Sequence, residues 1–185
     1  MQKLKTRPQF QATMSAGTLA RTAHFALHRM VLEPAAKKDM VADPTGPGSN
    51  DPQALFGIGA VREQAWLGAM VPKRWARRSV TRHVIKRQIY AVATDYEAAL
   101  LCASHVVRLR SGFDRKQFVS ATSDLLKAAV REELQQLFAT AARRLTRARQ
   151  EASDAQDFKR NPAQTLELKA QAAPDSVVHQ AGVQP

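Results

Sequence analysis

From Trp66 to Arg87 the chain reads WLGAMVPKRWARRSVTRHVIKR. Trp66 to Val71 is a short apolar run, the pattern of a central strand. Pro72 ends it, because proline cannot donate to a strand ladder. Beyond the turn, Arg77 to Ala103 reads as a long helix. At about 100° per residue, Val80, Val84, Ile85 and Val92 fall on one half of the wheel. Arg82, His83, Lys86, Arg87 and Tyr90 fall on the other. A buried strand feeding a helix with one apolar half predicts an α/β domain, the helix packed on a sheet.

The basic half is unusual. Lys73, Arg74, Arg77, Arg78, Arg82, Lys86 and Arg87 crowd the segment, and no acid occurs from Trp66 to Thr94. Exposed like charges at i and i+4, such as Arg82 and Lys86, repel by roughly a few tenths of a kcal/mol per pair. Arg77 and Arg78 near the helix start also oppose the macrodipole. An anionic partner reverses the sign of these terms and releases counterions. A merely solvated face would normally intersperse Glu among its cations. The whole chain leans the same way, with 28 Lys and Arg against 16 acids over 185 residues and a net charge of +12. Such a field attracts polyanions, nucleic acid first.

Outward from this segment the pattern continues. Pro8 to Ala16 reads as a helix with Pro in its first turn and Phe10 and Met14 on one face; Gly17 closes it. Ala23 to Leu32 partly alternates, Phe25 and Leu27 to one side and His24 and His28 to the other, as a half-buried strand does. His105 to Arg110 is another strand, stopped by Gly112. Asp114 to Arg149 is a second long helix, with Phe118, Leu125, Val130, Leu134, Leu137, Phe138 and Leu145 as its stripe. The order α-β-β(-β)-α-β-α predicts a two-layer α+β sandwich, a small mixed sheet packed by helices. Residues 33–56 read as a long loop rich in Pro and Gly. Residues 151–185 carry five acids and three bases, net −2, leaving +14 on residues 1–150. Their weak periodicity predicts a disordered tail after a domain spanning 1–150.

Several functions are disfavoured. No run of eighteen apolar residues exists to span a bilayer, and no apolar stretch follows Met1 to Pro8 as in a secretory signal. A lone cysteine, Cys102, suits the cytoplasm and reads as a small core residue. His24 and His28 share a face but have no nearby Cys or carboxylate to complete a zinc site. Neither a phosphate-binding GxxxxGK[ST] loop nor a GxSxG elbow occurs, and Gly57-Ile58-Gly59 is too short for a dinucleotide fingerprint. No clustered carboxylates offer a two-metal nuclease centre. No small-molecule substrate is expected.

Val71-Pro72-Lys73-Arg74, followed after seven residues by Arg82-His83-Val84-Ile85-Lys86-Arg87, resembles the signature of the bacterial ribonuclease P protein component. Leu4-Lys5, Phe10, Gly17, Arg21, His24-Phe25, Leu67-Gly68 and Val106-Val107-Arg108 extend the resemblance over roughly residues 3–148. His83 stands where that family has Asn, Val84 and Tyr90 where Arg is common, and Met14 where an aromatic is frequent. The resemblance implies a protein that performs no cleavage. It would bind the catalytic RNA subunit, which holds Mg²⁺, and the 5′ leader of precursor tRNA. It implies RNA contacts at Lys73, Arg74, Arg77, Arg78, Arg82, His83, Lys86, Arg87 and Tyr90. It implies a leader cleft between the first helix and the sheet, where Phe10, Met14 and His28 stand as candidates. Phe10 and Met14 equally suit an ordinary helix–sheet core. The charge pattern alone also fits another basic RNA-binding module, such as a ribosomal or ribosome-assembly protein. A peripheral membrane helix would need an apolar half left free of the sheet.

Overall fold

The computed structural model describes residues 1–32, 55–56, 64–100, 102–114, 117–118, 120 and 123–160. In chain order the elements are β1 (Gln2–Lys3), α1 (Arg7–Ser15), β2 (Thr18–Arg21), β3 (Phe25–Val31), β4 (Ala65–Met70), α2 (Ser79–Thr94), β5 (Ala103–Leu109) and α3 (Asp124–Arg160). The five strands form one sheet in the order β1-β4-β5-β3-β2. β4 runs parallel to both β1 and β5, while β3 runs antiparallel to β5 and β2. The first compact unit spans Met1–Thr146; Arg147 opens a second.

Side-chain alternation sorts the sheet into two faces. Phe25, Leu27, Leu67, Ala69, Val107 and Leu109 join Ile85, Ile89 and Val92 of α2 and Leu126, Val130, Leu134, Leu137, Phe138, Ala141 and Leu145 of α3 in one large core. The α3 residues recur every three or four positions, so one stripe meets the sheet side. Met30, Leu32 and Val106 point to the other face and share a smaller cluster with Leu4, Phe56 and, partly buried, Phe10, Ala12, Met14, Trp66 and Met70.

α1 is seated by polar groups. Gln9 Oε1 accepts the Lys5 and Thr6 amides at 3.0 and 3.1 Å, the N-terminal half of a capping arrangement. Its Nε2 donates to the Leu55 carbonyl at 3.0 Å. Thr13 Oγ1 lies 2.6 Å from Ser104 Oγ on β5, a buried helix-to-sheet link. Gly17, just past the C-cap Ala16, takes φ 120, a conformation that side chains resist. At Gly68 the sheet comes so close that a Cβ would stand 2.5 Å from Phe10 Cε1. Glycine there lets the Phe10 ring lie on the strand.

The mixed α/β class and element order agree with the sequence pattern, with helices on both sheet faces rather than a single helical layer. The helix expected over 77–103 is shorter. α2 stops at Thr94, a 3₁₀ turn covers Glu97–Leu100, and β5 already starts at Ala103. The chain must reverse there, and Cys102 does so at φ 57, only partly buried at the turn rather than in the core. Val80, assigned to the buried half, is 51 % exposed; Ile85, Ile89, Val92 and Ala93 make the seam. The last helix begins at Asp124, so Phe118 lies outside it, and Leu125 is 72 % exposed while Leu126 turns inward. The same helix continues to Arg160, ten residues into the expected tail. Arg147 Nε to Glu151 at 2.7 Å is an i,i+4 pair of the kind that supports helix there. Residues 161–185, and all of the loop 33–56 save Leu55 and Phe56, lie outside the described residues.

Candidate nucleic-acid interface

The basic segment begins as β4 leaves the sheet. The Pro72 carbonyl accepts the amides of Trp75 and Ala76 at 3.1 and 3.2 Å, closing a tight turn. Ala76 is buried beneath it, while Lys73 and Arg74 stay exposed. The Arg74 guanidinium sits 5.3 Å from the Trp75 ring centre. Arg78 is the N-cap of α2, and Arg77, Arg78, His83, Lys86 and Arg87 are all exposed. His83 Nδ1–H donates to the Ser79 carbonyl at 2.9 Å, leaving Nε2 outward.

Two residues of this row turn partly inward. Arg82 Nη1 donates to the carbonyls of Ala76 and Arg77 at 3.1 and 2.7 Å, tying the turn to the helix. Tyr90 is partly buried against the core, with Lys3 Nζ 4.7 Å above its ring. Burial pushes its phenol above the ordinary range, and a hydrogen bond to the Ala69 backbone opposes that shift.

Where α2 passes the end of α1, an open groove of about 490 Å³ is lined by Arg7, Phe10, Ala69, Met70, Val71, Pro72 and Lys86. An apolar floor with a cation on each side suits a single nucleic-acid strand. Farther along the same sheet face lie Met14 and His28. Burial pushes the His28 imidazole below its ordinary range, with Arg108 and Arg21 adding to the effect and the Gly17 and Met14 backbones opposing it. Arg108 supplies a positive charge beside it. Ala26 and Met70 flank Arg108 across the sheet.

A family profile described as Ribonuclease P matches residues 1–142. The chain belongs to the Ribonuclease P family. Similar curated relatives are the ribonuclease P protein component of Paraburkholderia xenovorans (strain LB400), 33% identical over 84 residues, covering 45% of this chain and 60% of that protein. That of Burkholderia mallei (strain SAVP1) is 34% identical over 83 residues, covering 45% and 61%. The chain thus spans about three fifths of the length of these relatives. The Staphylococcus aureus RNase P protein aligns with TM-score 0.47 and 14% identity, over 76% of this chain and 95% of that one.

Within this Ribonuclease P family member, the structure brings Lys86 and Phe10 to one groove and leaves the other candidates around it. Lys73 and Arg74 stand exposed on the turn after Pro72, and Met14 on α1 and His28 on β3 lie outside the groove lining. The strand periodicity that placed His28 also puts Arg108 on the face of Val106, yet Arg108 was absent from the sequence-derived set. Arg7 was missed because a helix start carries no face signal of its own. His24 has a carboxylate partner after all. Its backbone amide donates to Glu133 Oε1 at 2.6 Å, and its Nδ1 lies 2.8 Å from Oε2. Glu133 comes from α3, more than a hundred residues away, so no local spacing reveals it.

Proposed function

We propose that this chain is the protein subunit of ribonuclease P. The cationic edge of α2 binds the catalytic RNA subunit, and the groove beneath α1 takes the 5′ leader of precursor tRNA. Hydrolysis belongs to the RNA. The observation that carries this reading is the meeting of the acid-free α2 row with an apolar groove through Lys86, inside a chain of this family. Phosphates crossing α2 would release counterions, and leader bases would rest on Phe10 and Met70. Among the described residues no three His, Cys, Asp or Glu side chains converge, and the groove's charges are positive. These donors do not suit a divalent cation, so the Mg²⁺ of the reaction is assigned to the RNA subunit and no step is routed through the protein. The cytoplasm, where precursor tRNA is made, is the assigned place of action.

Reconstitution with the cognate RNA subunit and a precursor tRNA at low Mg²⁺ tests this. Protein should restore leader removal that RNA alone performs poorly, and protein alone should cleave nothing. Binding to ribosomal RNA in preference to the ribonuclease P RNA would replace the reading with a ribosomal one. RNA-free, metal-dependent cleavage would overturn the division of labour.

A further inference from the structure

A second cavity, of about 500 Å³, opens on the opposite side of α2, where the 72–78 turn, the start of the helix and the chain after β5 meet. Its floor is apolar, with Ile85 fully buried. Its walls are aromatic. Trp75 is 38 % exposed, and Phe113 meets Phe118 edge to face at 5.8 Å. Its rim carries Arg77 and Arg78, and no carboxylate is among the described residues that line it.

Both walls are held from behind. Arg82 ties the Ala76 and Arg77 carbonyls to α2. Phe113 stacks on His24 at 4.1 Å, and Glu133 anchors His24. At Gly112 a Cβ would stand 3.0 Å from the Trp75 carbonyl oxygen, so a side chain there would press the two walls apart by a few tenths of an ångström.

We propose that this cavity receives one unstacked base of an RNA strand, the base against Trp75, Phe113 and Phe118, its phosphate on Arg77 and Arg78. The inference rests on the RNA-binding reading of α2 and adds a base site to it. Every base offers a π-face joined to an anion, and aromatic walls beneath an arginine rim complement both. The volume lies within the roughly 300–1,000 Å³ of ordinary ligand sites. Phosphate contacts along α2 leave a strand free to slide, whereas one inserted base sets its register.

The test uses the full chain carrying Trp66→Phe. Trp75 is then the single tryptophan of the original two, and the Trp66 indole Nε1 has no partner to lose. Trp75 fluorescence is titrated with hexaadenylate, with an abasic hexamer of equal charge, and with adenosine monophosphate. Hexaadenylate should quench Trp75 and bind roughly five- to a hundredfold tighter than the abasic hexamer. Phe118→Ala should abolish the Trp75 quench and reduce that advantage while keeping the salt dependence. Should Phe118→Ala melt early, the exposed pair Arg77→Gln with Arg78→Gln serves instead and should weaken hexaadenylate and its quench together. Two hexamers that bind equally, with no response at Trp75, sink the base site and leave the RNA reading intact. Two hexamers that fail to bind at all remove both. Quenching by adenosine monophosphate as tight as by the hexamer would make this a free-nucleotide site and overturn the strand assignment.

Discussion

The two faces of the sheet are filled by different chemistry. Toward α2 and α3, Leu, Ile, Val and Phe side chains close a dry core in which His105 is the polar exception. Toward α1, the helix is pinned by Gln9 and by the Thr13–Ser104 pair, while Phe10, Met14, His28 and Arg108 stay half covered. A face that only has to hold together is packed shut. The α1 face keeps apolar surface and charge partly exposed, and buried hydrogen bonds stand where the other face has packing. The two faces should therefore answer differently to mutation.

The largest effect is expected on the dry face. Ile85→Asp buries an unpaired charge and should abolish cooperative folding, seen as loss of the thermal transition by circular dichroism. Ile85 suits this test because it is fully buried, whereas its neighbour Val84 is only half buried. On the α1 face, Gly68→Ala forces the Phe10 ring away and should cost about 1–3 kcal/mol, the range for overpacking. Leader affinity should fall with it; a variant that melts lower and keeps wild-type leader binding would separate the groove from α1.

Lys86→Ala with Arg87→Ala should leave the melting temperature unchanged and lower the slope of log K against log salt by about 1.4–1.8 if each meets one phosphate. Adding Arg82→Ala should cost stability as well, since its guanidinium holds two turn carbonyls. A triple variant as stable as the double would return Arg82 to the purely RNA-facing set. Ser104→Ala should cost about 1 kcal/mol, one buried hydrogen bond, measured by urea titration.

The smallest effect is a pH dependence from the dry face. Burial pushes His105 down to about 3, with Arg29 adding and the Trp66 and Ala103 backbones opposing. Because the unfolded imidazole titrates near 6.5, its burial costs nothing above that pH, and stability drains as pH falls below it. Between pH 7 and 5.5 the loss should be about 1 kcal/mol. His105→Gln should flatten that part of the profile, whereas a profile unchanged by the substitution would place the proton elsewhere.

What the sequence disclosed tracks what repeats along the chain. Partial alternation located β3, and short runs stopped by Pro72 and Gly112 located β4 and β5; each has one or both faces in a core. Helical spacing located α1 and most of α2 and α3. β1 has two residues and β2 four, too few for a period to show. The end of α2 was overrun because the apolar residues after Asp95 suit a 3₁₀ turn as well as a helix. At the interface, charge density exposed the α2 row at once. Gln9, Thr13, Gly112 and Glu133 stayed hidden, because each acts through a partner distant in the chain and has no compositional excess. Trp75 was visible as a residue and invisible as a wall, since its opposite wall comes from beyond β5.

The sheet ends on short strands. One border is the two-residue β1 and the other the four-residue β2, whose pairing with β3 slips between Thr18 and Ala20. Neither border offers a long, flat ladder on which a second copy could template itself. Short borders and the like charge of a chain at net +12 both disfavour strand pairing between two copies.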